Sequence, residues 1–185
     1  MEQPGAGDET RRWGPPFVDG TSTYYLSINR NKRSVALDLE SSEGRGKAQA
    51  DTLARRADVV VENFRPGRLA GFGLDFPTVR ASNPGVVYCS ISGFGTGVGV
   101  DLPGYDFVVQ AMGGLMSITG PEGGPPTKVG VAMADVLTGL HACIGILAAL
   151  EARRTTGEGQ LVEVNLLSSL LASLVNQGRR TPPPG

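Results

Sequence analysis

Two short runs of β-branched residues, each preceded by a helical pattern, constrain the fold of this chain more than any other feature. Residues 58–62 (DVVVE) and 86–92 (VVYCSIS) are typical of buried strands. Helical patterns at 42–56 and 76–81 precede them. Successive strands joined by helices favour a parallel sheet with right-handed crossovers. The predicted class is therefore α/β.

The rest of the chain predicts further strands and helices and one long loop. The pattern indicates strands at 34–39 and 161–166, helices at 106–117, 133–154 and 168–176, and an extended loop over residues 1–22. Gly157 is the expected C-cap of the long helix. The apolar residues of that helix follow helical spacing and are expected to form one buried stripe: Val136, Leu137, Leu140, Ile144, Leu147 and Ala148.

Charge and cysteine content exclude several classes of function. The net charge of −1 arises from 17 basic and 18 acidic side chains, which predicts neither a nucleic-acid nor a membrane partner. The long apolar helix contains Asp135 and His141, groups that are costly in lipid, so it is expected to be soluble core. Cys89 and Cys143 lie far apart without a histidine cluster, which argues against a disulfide scaffold and against a metal site. With no signal peptide pattern, a cytoplasmic location is expected, or the mitochondrial matrix in a eukaryote.

Glycines recur after the second strand, at positions 93, 95, 97 and 99. They lack the GxGxxG spacing of a dinucleotide-binding turn, so a substrate-side loop is the better interpretation. His141, the only histidine, follows Asp135 by six residues, far around the helix at about 100° per residue. A His-Asp relay is therefore not expected, and the absence of GxSxG also argues against a hydrolase.

Two segments carry candidate functional groups. Asp135 lies near a helix start, where pattern alone favours a capping role, yet it is the single acid between Lys128 and Glu151 in an apolar stretch. Phe64 and Arg65 follow the first strand at the edge where α/β sheets usually bind ligands. They suit an adenine ring and a phosphate, but also an ordinary surface loop.

A series of short motifs is spread along nearly the whole chain, from residue 2 to about 177. They are GDETR at 7–11, WGPPF at 13–17, NRNKRS at 29–34, VENFRPG at 61–67, SGFG at 92–95, PGYD at 103–106, QA at 110–111, AD at 134–135, TG at 138–139 and TGEGQ at 156–160. Together they resemble the family III CoA transferases (CaiB/BaiF family). The appearance is closest to the succinyl-CoA:glutarate and formyl-CoA transferase branch.

The resemblance implies a fold, an activity and roles for particular residues. It implies part of a Rossmann-like, parallel-sheet large domain. Asp135 matches the nucleophilic aspartate, which carries CoA between an acyl-CoA and a carboxylic acid through a covalent intermediate. CoA or acyl-CoA is then a substrate and no cofactor is held permanently. The matching positions for CoA contacts or the active centre are Leu37, Asn63, Phe64, Arg65, Tyr105 and Asp106. Relatives form interlaced homodimers.

Some positions depart from the family pattern and keep alternatives open. Related α-methylacyl-CoA racemases pair a histidine with an aspartate, but Tyr105 stands at the histidine position, which favours transfer. Gly71 stands where relatives have a basic residue that contacts CoA. Relative to the family the chain is expected to be incomplete at both ends, with a partial domain at 1–177 and a disordered tail at 178–185. An inactive CoA-binding fragment is the third interpretation.

Overall fold

A computed structural model describes residues 1–41 and 44–177. The chain divides into two compact units, Met1–Leu53 and Ala54–Gly185. The predicted tail at 178–185 and the first two residues of the helix predicted at 42–56 lie outside the described residues.

The first unit consists of short elements. A 3-10 helix at Glu9–Arg12 precedes a two-stranded antiparallel hairpin of β1 (Phe17–Val18) and β2 (Thr21–Ser22). Helix α1 (Thr23–Asn29) follows, and α2 (Arg45–Ala54) ends at the boundary of the unit. The expectation of one extended loop over residues 1–22 was wrong.

Glu2 supplies the local order that the pattern of residues 1–22 did not reveal. Its carboxylate pairs with Arg11 at 2.8 Å and also accepts hydrogen bonds from Tyr25 and Ser34. These bonds hold the pKa of Glu2 well below its usual range, the Arg11 bond most of all. The strand predicted at 34–39 is not formed. Within the described residues this segment pairs only through a single parallel bridge between Glu2 and Ala36.

The second unit is built on a three-stranded parallel sheet. Its strands are β3 (Val59–Glu62), β4 (Val87–Ser92) and β5 (Leu161–Asn165), in the order β3–β4–β5. Its helices are α3 (Phe76–Ser82), α4 (Asp106–Met112), α5 (Met133–Thr156) and α6 (Leu166–Ser173). The predicted α/β class with parallel strands is confirmed, as is the left-handed Gly157 at the end of α5.

Helix α4 is shorter than the predicted 106–117. It ends at Met112, and a 3-10 helix at Leu115–Ile118 takes over after two glycines. A Cβ on Gly113 would meet the Leu170 side chain at 2.6 Å, and Gly114 has a positive φ of 82°. The turn therefore needs both glycines. The absence of a side chain at Gly113 lets the end of α4 pack closely on Leu170 of α6.

Helix α5 packs on the sheet through its small residues, not through its long apolar side chains. Ala134, Thr138, Ala142 and Ala149 are buried, and a Cβ on Gly145 would meet the Val162 side chain at 2.7 Å. The predicted buried stripe was wrong. Four of its members are each more than half exposed: Val136, Leu140, Ile144 and Leu147. Small residues allow a close approach of helix and sheet, and helical spacing alone does not reveal which of two apolar faces packs.

By length and composition alone, α5 would also suffice to cross a membrane, the one such helix in the described part of the chain. Its first turns belong instead to a packed cluster of the second unit. Buried Val109, Ala134, Leu166 and Leu170 join α4, α5 and α6 there, with Leu137 partly buried against them. This cluster fixes the start of α5 beside α4.

Candidate active site

The carboxyl ends of β3 and β4 lead into the two loops that carry most candidate residues. Parallel strands end at one edge of a sheet, where open α/β folds usually bind ligands. Residues 63–67 follow β3, and residues 93–105 follow β4 and lead into α4. The start of α5 is held against α4.

Asp106 caps α5 from another helix. Ala132, at the N-cap position, offers no side-chain acceptor, and Asp106 Oδ1 instead accepts a hydrogen bond from the Ala134 backbone N–H at 2.7 Å. The carboxylate thus satisfies one of the amides that a helix start leaves unpaired. The capping role that pattern alone favoured for Asp135 is filled by Asp106.

Asp135 follows immediately in the first turn of α5. Its side chain is exposed, and within the described part of the chain its carboxylate has no hydrogen-bond partner. The surrounding protein still removes part of the water from the carboxyl group. This partial burial raises the pKa of Asp135, and the nearby negative charge of Asp106 raises the pKa further. An unpartnered carboxylate with a raised pKa is a better nucleophile than an ordinary surface aspartate.

Tyr105 lies at the N-cap position of α4, one residue before Asp106, and its ring is exposed. The tyrosine follows a loop whose two ends touch. A Cβ on Gly93 would come within 2.4 Å of the Gly104 Cα, so neither position tolerates a side chain without movement. The contact fixes where the chain emerges from the loop, and hence where Tyr105 and Asp106 begin α4.

The loop after β3 is braced by the last residue of that strand. Glu62 Oε2 accepts the backbone N–H of Phe64 at 2.8 Å, and its other oxygen accepts the Ser90 hydroxyl from β4. Asn63, Phe64 and Arg65 are exposed. Within the described residues the Arg65 guanidinium has no ion-pair partner, which leaves it available for an anion.

A cavity of about 390 Å³ opens below this loop. Its lining includes Arg65, Tyr88, Asn165 and three acids: Glu62, Asp75 and Glu163. Val162 packs under α5 while its neighbours Leu161 and Glu163 line the cavity, so the cavity lies on the sheet face away from α5. Asp106 and Asp135 do not line it. An acid-rich wall disfavours phosphate, so we do not assign the cavity to the phosphates of a nucleotide.

Of the predicted site residues, the structure brings Asp106 to the start of α5 near Asp135, and Tyr105 immediately precedes Asp106 in the chain. Asn63, Phe64 and Arg65 form a second group after β3. Leu37 belongs to the first unit, where it is buried and donates its N–H to the Glu2 carbonyl at 3.0 Å.

Among the described residues no three histidine, cysteine or acidic side chains are arranged to hold a metal ion.

Gln110 is the residue whose importance the sequence alone did not reveal. Its spacing of four from Asp106 places the two side chains on one helix face, which was the available signal.

The sequence and the structure of this chain are similar to those of one family of known proteins. The family model "CoA-transferase family III" matches residues 1–181. The chain is 49% identical over 175 residues to succinyl-CoA:glutarate CoA-transferase of Mus musculus, covering 94% of this chain and 40% of that protein. It is 45% identical over 171 residues to formyl-CoA:oxalate CoA-transferase of Streptomyces avermitilis, covering 92% of this chain and 41% of that protein. A CAIB/BAIF family protein from Brucella suis superposes with a TM-score of 0.87 at 45% identity, over 95% of this chain and 47% of that one.

The chain therefore belongs to the CoA-transferase family III. This confirms the resemblance drawn from the motifs, including its branch. The chain spans between two fifths and half of the length of these relatives.

Proposed function

We propose that this chain contributes the nucleophile and part of the CoA site of a CoA transferase, which exchanges CoA between an acyl-CoA thioester and a carboxylic acid. The observation that carries the proposal is the placement of Asp135. Its carboxylate is unpartnered within the described residues, has a raised pKa and lies in the first turn of a helix whose start is fixed by Asp106.

The first half of the reaction loads CoA onto the enzyme. An oxygen of Asp135 attacks the thioester carbonyl, the C–S bond breaks and the CoA thiolate departs, which leaves a mixed anhydride. The thiolate then attacks the aspartyl carbonyl of that anhydride. The donor acid departs as a carboxylate, and Asp135 holds CoA as a thioester.

The second half repeats these steps with the acceptor. The acceptor carboxylate attacks the aspartyl thioester and expels the thiolate, and the thiolate attacks the acceptor acyl carbon to free Asp135. No base is required, because every nucleophile is already an anion. The protein must position the reactants and exclude water from the anhydride, roles proposed for Asp106 near Asp135 and for Tyr105, which precedes Asp106 in the chain.

CoA is proposed to bind across the loop after β3. Phe64 offers an exposed ring for the adenine, Arg65 a guanidinium without an ion-pair partner among the described residues for a phosphate, and Asn63 a polar side chain beside them. Leu37 is a candidate for a CoA contact by the family pattern alone. CoA serves as substrate and no resident cofactor is invoked. The acids are small carboxylates, with a dicarboxylate favoured by the name of the Mus musculus relative.

A racemase is the weaker alternative, because Tyr105 supplies a phenol where that chemistry pairs an imidazole with an aspartate.

A homodimer and a cytoplasmic location complete the proposal. Helix α5 has an exposed apolar face, which supports self-association because large exposed apolar patches mark interaction sites. This face consists of Val136, Leu140, Ile144 and Leu147. A chain that remains monomeric in sedimentation equilibrium at all concentrations tested would contradict the homodimer.

Trapping of the acyl-enzyme tests the proposal directly. The chain is incubated with succinyl-CoA and hydroxylamine, and intact-mass analysis and peptide mapping locate the adduct. We expect a hydroxamate on Asp135 that is absent from Asp135→Ala and Asp135→Asn. An adduct elsewhere, or an equal adduct in the variants, would remove Asp135 as the nucleophile.

A further inference from the structure

Gln110 is a buried amide at the centre of a network between α4 and α5. Its side chain is inaccessible to solvent. Nε2 donates to Asp106 Oδ2 at 2.7 Å and to the Val131 carbonyl at 3.3 Å, and Oε1 accepts the Val129 N–H at 3.0 Å. A buried polar group is costly unless its hydrogen bonds are made, so removing the Gln110 amide leaves Asp106 Oδ2, the Val131 carbonyl and the Val129 N–H each without this bond.

Two of these bonds hold the segment that leads into α5. Val129 and Val131 lie just before Met133, where α5 begins. They are bonded to one side chain of α4, so the segment is fixed by Gln110 and not by a strand partner among the described residues.

The third bond orients Asp106. Because Gln110 occupies Oδ2, the other oxygen of Asp106 is directed at the Ala134 N–H. The N-cap residue Ala132 contributes no side-chain bond, so this carboxylate is the side-chain acceptor at the helix start. Rotation of the Asp106 side chain would therefore break its hydrogen bond to the backbone N–H of Ala134, the residue that precedes Asp135.

We propose that Gln110 is a positioning residue for Asp135. It acts through Asp106 and through the backbone of Val129 and Val131, which together determine where α5 begins and where the Asp135 carboxylate points. Its catalytic consequence rests on the proposed function of Asp135, whereas its effect on the start of α5 does not.

The charges around Gln110 make a neutral amide donor necessary. Asp106 faces it from the same helix, Asp135 lies on α5, and the Lys128 amino group donates to the Val129 carbonyl nearby. The 3-10 helix at Leu115–Ile118 and α6 bring no titratable side chain. A glutamate at position 110 would therefore oppose Asp106, and only its protonated form would donate to Oδ2.

Two variants and one control test the proposal. Gln110→Met keeps the length of the side chain but makes no hydrogen bond, and Gln110→Glu keeps the shape and makes the bond depend on pH. The matched control is Thr138→Val, which removes a buried hydrogen bond to the Ala134 carbonyl, 2.7 Å long, from within α5 and leaves the Gln110 network intact. Melting temperature, CoA affinity, hydrogen exchange at Ala134 and the rate of hydroxamate formation are measured for each.

We expect Gln110→Met to speed exchange of the Ala134 amide about tenfold or more relative to Thr138→Val, because its acceptor is no longer held. Hydroxamate formation at saturating succinyl-CoA should fall at least about tenfold while CoA affinity changes by less than about twofold. Gln110→Glu should regain its rate, relative to wild type at the same pH, as the pH falls from about 7.5 to 5.5.

Equal Ala134 exchange in Gln110→Met and Thr138→Val would overturn the proposal. So would a rate loss that merely follows the melting temperature in both variants, or a Gln110→Glu rate that does not depend on pH. If the wild-type chain forms no hydroxamate, the proposed function fails, and Ala134 exchange alone decides whether Gln110 holds the start of α5.

Discussion

The backbone of Gly93 lies directly against that of Gly104: a Cβ on Gly93 would fall 2.4 Å from the Gly104 Cα. Ten residues lie between the two glycines, and the contact closes them into a loop between the end of β4 and the start of α4. Tyr105 and Asp106 follow at once, so the position of the site depends on a contact between two residues that have no side chain.

Gly93→Ala is expected to lower the free energy of unfolding by about 1–3 kcal/mol or more, because backbone atoms face the new methyl group and cannot rotate away. Gly97→Ala in the same loop is the control, since nothing lies within 4 Å of its added Cβ. It should change stability by less than about 1 kcal/mol. Urea denaturation of both variants measures the difference, and equal midpoints would show that the contact is unimportant.

Asp135→Asn should alter the pH dependence of stability. Folding raises the pKa of Asp135, so its ionisation destabilises the folded chain, a penalty absent below the unfolded pKa of about 3.9 and complete above the folded one. Asparagine does not ionise. The stability of the variant relative to wild type should therefore rise between about pH 3 and pH 7, by roughly 0.5 kcal/mol or less since the side chain is exposed.

Thermal or urea unfolding at several pH values provides this comparison. A relative stability that falls as the pH rises would mean that Asp135 is stabilised as an anion, contrary to the burial and the charge of Asp106 beside it.

The two cysteines should differ strongly in reactivity. Cys89 is buried in β4, where burial and the nearby Glu62 raise the pKa of its thiol, whereas Cys143 is exposed on α5. At dilutions where the chain is monomeric, iodoacetamide should modify Cys143 at least about 100-fold faster than Cys89 in the folded chain, and both equally in denaturant. Peptide mapping by mass spectrometry measures the rates, with Cys143→Ser as the control that should leave the folded chain almost unreactive.

Arg65→Ala should weaken CoA binding about tenfold, the effect expected when one charge-assisted phosphate contact of about 1.4 kcal/mol is lost. Arg56→Ala is the matched control, because Arg56 is also exposed but precedes β3, at the opposite end of that strand. Calorimetric titration with CoA at two salt concentrations compares them. Equal affinities for the two variants would exclude Arg65 from the CoA site.

The order of the elements could be predicted from the sequence because its signals are local. The strands predicted from the β-branched runs at 58–62 and 86–92 are observed at Val59–Glu62 and Val87–Ser92, and the glycine at position 157 ends α5 as predicted. The family also followed from motifs in order along the chain, and the family model matches nearly all of it. Asp135 and Asp106 were identified as candidates in the same way, by matching positions.

Only the tertiary structure decided how those elements face one another. Helical spacing in α5 was compatible with packing by either its long or its small apolar residues, and close contact with Val162 selected the small ones. The cap of α5 comes from Asp106, 28 residues before Ala134, and no local pattern encodes a hydrogen bond across that separation. Gln110 gains its place in the network for the same reason: its partners at 129 and 131 are remote in sequence and meet it only when α4 and α5 pack.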